Sequence, residues 1–176
     1  MIIANLKREE NIIEYIIYMR QIQDILRANN LDINNVEKII INNYDVPEVK
    51  KNEIRQWYKK LIAEMQEQKV ESIGDLESVK HIINKLEVLN TKLLNDASEY
   101  KHKELYRWAH PYIIEYRKLA KLDDTVNDVE TCINAVQSLL LLRLKKQPIS
   151  DETAQAMQTF SNLLANLSVH WHSNDK

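Results

Sequence analysis

Side chains able to do chemistry concentrate between Tyr100 and Lys121. On a helix turning about 100° per residue, Lys103, Arg107, His110, Arg117, Lys118 and Lys121 share one arc, interrupted only by Ile114. Leu105, Trp108, Ala109, Tyr112, Tyr116, Leu119 and Ala120 share the arc opposite. Residues 76–121 carry nine Lys and Arg against six Asp and Glu, whereas both flanking segments are net acidic, so the chain is polarised. Converging cations of this kind hold a carboxylate, a phosphate or an acidic partner helix. The plainer reading is a solvated face opposite a buried one. Pro111 stands in the middle of the stripe. It removes the amide that would bond the Arg107 carbonyl, which predicts a kink that points the two halves of the stripe apart.

A second polar group, Arg20, Asp24 and Arg27, has the four- and three-residue spacings of helix ion pairs. On an exposed face such pairs contribute tenths of a kcal/mol. The segment that carries them is apolar over more than half its circumference, so enclosure of the cluster in the core is the alternative. Glu99 and His102 have the Glu-x-x-His spacing that places two metal ligands on one helix face. Di-iron bundles need that motif twice, with two further glutamates, and none of His81, His110, His170 and His172 has Glu three residues before it. No metal site is expected. His170 and His172 fall on opposite sides of a helix. Cys132, between Val129 and Val136, reads as a buried, inert thiol. A single glycine leaves no room for a Gly-x-Ser-x-Gly elbow, a Walker loop or a dinucleotide fingerprint. No catalytic residue and no cofactor is expected from these motifs.

The elements that position these groups follow from composition. The 176 residues carry a net charge of −2, one Gly and three Pro, against about twelve Gly and nine Pro at average usage. Hairpins and bulges need glycine, so the pattern predicts an all-α, bundle-like single domain over 1–176, with about seven mostly antiparallel helices. The first runs from about Asn5 to Ala28 and is central. The second, capped by Asp32, carries Val36, Ile39 and Ile40. The third opens with Pro47 at its first helical position and buries Ile54, Trp57, Tyr58, Leu61 and Met65. Ser72 and Asp75 resemble a capping box for the fourth, which holds Gly74 in its first turn and then Leu76, Val79, Ile83, Leu86 and Leu93. Asp96 or Ser98 caps the fifth, to about Leu122, and Asp123 or Asp124 starts the sixth, through Val126, Val129, Ile133, Val136 and Leu140. Ser150 caps the last, which carries Ala154, Met157, Phe160, Leu164, Leu167 and Trp171, and the tail from His172 to residue 176 is expected to fray.

The opening block, Met1-Ile2-Ile3-Ala4 through Lys7-Arg8, Asn11-Ile12-Ile13-Glu14-Tyr15-Ile16-Ile17-Tyr18-Met19 and Asp24-Ile25-Leu26-Arg27-Ala28, resembles an uncharacterised helical family of Bacteroidetes bacteria, known only as a domain of unknown function. The resemblance implies an all-helical bacterial cytoplasmic protein and brings no activity, cofactor or catalytic residue with it.

Charge and hydropathy bound the function. A pI near 6.2 and the lack of a recognisable motif argue against nucleic-acid binding. The longest fully apolar helical run, Leu139 to Leu142, is far short of the ~20 residues of a membrane span. The lone Cys132 and the early charges at Lys7, Arg8, Glu9 and Glu10 place the chain in a reducing cytoplasm. The first helix and Leu139–Leu142 offer more apolar surface than one core needs, unless two packed layers bury both. These features together read as a cytoplasmic helical domain without enzymatic activity that works through a protein partner or self-association. A binding module for an anionic ligand, using Lys103, Arg107, His110, Arg117 and Lys121, is the alternative, and an enzyme of unknown class the third.

Overall fold

The computed structural model describes residues 2–174, and the side chains of residues 3–173. Among them the chain is all-α, with eight helices, one 3-10 turn and no strand: α1 Ile2–Glu10, α2 Ile12–Ala28, α3 Ile33–Ile39, the turn Ile41–Asn43, α4 Glu48–Glu67, α5 Glu77–Asn95, α6 Tyr100–Ala120, α7 Asp128–Leu144 and α8 Asp151–Asn174. No helix among the described residues is long and apolar enough to cross a membrane.

The count exceeds seven because the first expected helix is two. Asn11 interrupts it, its Oδ1 accepting from the Ile13 amide at 3.0 Å. Asn11 with Glu14 three residues on has the spacing of a capping box, a signal present in the sequence. The start of α3 is as expected, with Asp32 accepting from the Asn34 amide, and Ser150 accepts from the Thr153 amide at the start of α8.

Three starts differ. Pro47 is the N-cap of α4 and lies outside the helix. Asp123 closes a local turn on Thr125, and α7 begins later, capped by Asn127, whose side chain accepts from the Glu130 amide. Glu99 precedes α6 without a side-chain cap bond, since Asp96 and Ser98 bond each other. At its other end α8 runs on through His172 as ordered helix to Asn174; the fraying expected for residues 175 and 176 lies outside the described residues.

The chain divides into two compact units. One holds the residues up to Glu10 with Glu14–His81, the other Asn11–Ile13 with the residues from Ile82 onward. In the first, α3 packs on α4, and Leu26, Val36, Tyr58, Met65 and Leu76 are fully buried. The loop after α4 is fastened to α2 by side chains. Gln23, fully buried, accepts from the Leu76 amide, and Gln68 accepts from the Glu77 amide, so the opening amides of α5 are satisfied without the capping box expected of Ser72 and Asp75. Gly74 lies in this loop, ahead of α5, with φ +95, a conformation that strains any residue with a Cβ. In the second unit α6, α7 and α8 pack on one another, around Ala109, Ile113, Ile133, Phe160 and Leu167.

Candidate functional site

Helix α6 runs unbroken through Pro111, but its buried face coincides only in part, at Ala109, with the hydrophobic arc. His102, Ala109 and Ile113 are buried, whereas Trp108 is 54% and Leu119 76% exposed. The helix is rotated because polar partners on other helices draw His102 and Tyr106 inward. His102 Nε2 faces Asn90 Oδ1 on α5 at 2.9 Å, and Nδ1 lies 2.9 Å from the Asn166 side-chain amide on α8. The Asn90 amide nitrogen already donates to Glu87, so Nε2–H donates to Asn90 Oδ1. Burial lowers the His102 pKa from the ordinary imidazole value, partly opposed by the Asn166 hydrogen bond, and both ring nitrogens are occupied. Glu99, the other half of the Glu-x-x-His spacing, lies 3.4 Å from His170.

The same inward face carries the Tyr106 hydroxyl, which donates to Asp128. Asp128 also accepts from Arg117 at 2.9 Å. Glu87 accepts from the Val129 amide at 3.1 Å, placing a carboxylate at the positive end of α7. Its pKa is raised, by burial before all else. Cys132 beside this network is fully buried, and burial lifts its thiol well above the ordinary range. Thiolate is the nucleophile, so Cys132 is inert while the unit stays folded.

The basic stripe is therefore divided. Arg117 is committed to Asp128 at the start of α7. Lys103 and Arg107, with Tyr100 and Glu104, border a shallow hollow of about 330 Å³, and Arg107 lies 3.6 Å from Glu104. His110 is exposed. Lys121 is the C-cap of α6, in the left-handed region at φ 50.

The cluster on α2 is partly enclosed, with different pairing. Arg20 is 8% exposed and binds Asp75 through Nε at 2.9 Å and Nη2 at 2.6 Å. Asp24 is exposed and pairs with Arg27 at 2.9 Å, and Arg27 also donates to the carbonyls of Val70 and Gly74. Both arginines fasten the loop before α5.

A more apolar feature is a groove between α6, α7 and α8. It encloses about 470 Å³ against Tyr116, Leu139, Leu142, Ala156, Met157 and Phe160 among others, with Glu115 and Glu152 also lining it and no Lys or Arg in the wall. The size is that of a pocket for a small ligand or a few inserted side chains. Tyr116 and Ser138 share a hydrogen bond of 2.9 Å within it. Beside it residues 141–148 are all exposed, with Leu141 at 51%, Leu142 at 38% and Leu144 at 76%. Of the two apolar excesses in the sequence, the run Leu139–Leu142 is covered in part, with Leu139 buried and Leu141 and Leu142 exposed, while Ile12, Ile16, Met19, Ile22 and Leu26 of α2 are buried and Ile25 is exposed. Glu115 and Glu152 were not among the sequence candidates, because their relation to the groove depends on three helices meeting.

An apolar groove among packed helices, with no cluster of three or more His, Cys, Asp or Glu able to hold a metal among the described residues, defines an all-helical domain whose distinctive surface is hydrophobic. The chain belongs to the DUF4924 family, a domain of unknown function, whose model matches residues 1–176. No curated protein and no solved structure matches it.

Proposed function

We propose that this chain is a non-catalytic interaction module whose α6–α7–α8 groove receives apolar groups of a partner. The groove itself carries the reading: about 470 Å³ lined largely by aliphatic and aromatic side chains, continuous with the exposed leucines that end α7. Apolar surface left uncovered in this way marks an interaction site. Cys132 and Tyr58, both displaced chiefly by burial, are fully buried, where a substrate has no access. The test is binding of the neutral apolar dye Nile red. Wild-type protein is expected to enhance its fluorescence, and Ala156→Trp, which fills the groove with an indole, is expected to abolish the enhancement while the circular dichroism stays the same. Undiminished enhancement in the variant, or none in a monomeric wild type, overturns the reading.

A second reading, an anion site on α6, is favoured by one observation, the hollow that gathers Tyr100, Lys103 and Arg107. Binding of inorganic phosphate that weakens with salt and is lost in Arg107→Glu is its signature.

A further inference from the structure

We infer that the occupant of the groove is the end of α7 from a second copy of this chain, in a two-fold contact where each copy both inserts and receives. The inference rests on the groove being a partner site and names the partner. Its first support is the exposure of residues 141–148, the last four residues of α7 and the four that follow. An amphipathic helix exposes one face and buries the other; here three leucines of one helical turn, Leu141, Leu142 and Leu144, are uncovered together.

The second support is charge. The segment from Leu141 to Pro148 carries Arg143, Lys145 and Lys146 and no acidic residue. The groove carries Glu115 and Glu152 and no cation, and neither carboxylate has a cation within ion-pair distance among the described residues. A knob of leucines flanked by positive charge matches a trough edged by negative charge, and such complementarity fixes register as well as attraction. The third is contiguity. Leu142 is at once part of the groove wall and part of the exposed run, so knob and trough form one continuous patch. A patch holding both halves is complementary to itself, which is what an isologous two-fold interface requires.

The two-fold arrangement makes a demanding test. In a first variant Glu115→Lys and Glu152→Lys make the trough positive; in a second Arg143→Glu, Lys145→Glu and Lys146→Glu make the knob negative. Each alone sets like charge against like at both contacts and is expected to weaken dimerisation at least about tenfold. Mixed together, each knob meets a trough of opposite charge, so sedimentation velocity across micromolar to millimolar protein should show a one-to-one heterodimer. Ala156→Trp should leave a monomer. A wild type that stays monomeric while Nile red still enters the groove overturns this inference and leaves the interaction-module reading standing; a monomer without dye binding removes both. A dimer indifferent to all three variants, or a mixture that fails to pair, places the interface elsewhere and also overturns it.

Discussion

Replacing His102 by Phe keeps a flat ring at the centre of the second unit and removes both ring nitrogens. Asn90, 1% exposed, then loses the donor to its Oδ1, and Asn166, half-buried, loses its ring partner. An orphaned buried polar group costs about 1–3 kcal/mol; taking about 2 for Asn90 and about 1 for the more accessible Asn166 gives a loss near 3 kcal/mol. With a urea dependence of ~2 kcal/mol per molar, the unfolding midpoint should fall by roughly 1.5 M. Asn90→Leu in the same chain should recover part of that loss, because the stranded acceptor goes with it. The pH dependence supplies a second readout. The native imidazole is held neutral below its ordinary pKa of about 6.5, so its contribution is complete above that pH and is lost as pH falls through the lower native value. Wild-type stability should therefore decline on mild acidification with a component that His102→Phe lacks. A variant that unfolds at the wild-type midpoint, with an unchanged acid slope, refutes the network argument.

Tyrosine ionisation tests the burial of the first unit. Burial pushes Tyr18 up to about 12 and raises Tyr58 further, so native stability should hold below pH ~10 and drain away as pH climbs through 12, with phenolate absorbance from these rings appearing only on unfolding; a single step near pH 10 for all eight tyrosines counts against it. Gly74→Ala should cost about 1–2 kcal/mol in thermal unfolding, because φ +95 is strained for any Cβ, and an unchanged melting temperature would remove the positive-φ argument. Cys132 should resist a thiol reagent in native buffer and react at once in denaturant, and prompt native labelling would contradict its burial.

The helical fold is legible in the sequence because glycine poverty and three-to-four periodicity act locally. Val79, Ile83, Leu86 and Leu93, picked from spacing alone, are buried on α5, as is Leu76 just before it. What stays hidden depends on residues far apart in the chain. Nothing near His102 announces that Asn90 and Asn166 await it, so hydrophobicity alone turned α6 toward Trp108 and Leu119. Arg117 reads as a member of a basic stripe until Asp128, beyond a loop, comes within 2.9 Å. Arg20 likewise reads as a neighbour of Asp24, whereas the structure gives it Asp75, fifty-five residues on. The groove was visible only by its edge, the run from Leu139 to Leu142. The helix starts at Asn11 and Asn127 carried signals of their own, each with Glu three positions later.

The brief segment Asn11–Ile13 has a consequence for any attempt to halve this protein. Its three residues group with the second unit although the chain returns to the first immediately afterwards, and Ile12 and Ile13 are both buried. A polypeptide begun at Ile82 lacks those two isoleucines, and one ended at His81 carries them off with nothing of the second unit to join. A cut between His81 and Ile82 therefore parts two buried residues from the unit they group with, and a fragment begun at Ile82 is expected to lose stability for want of them.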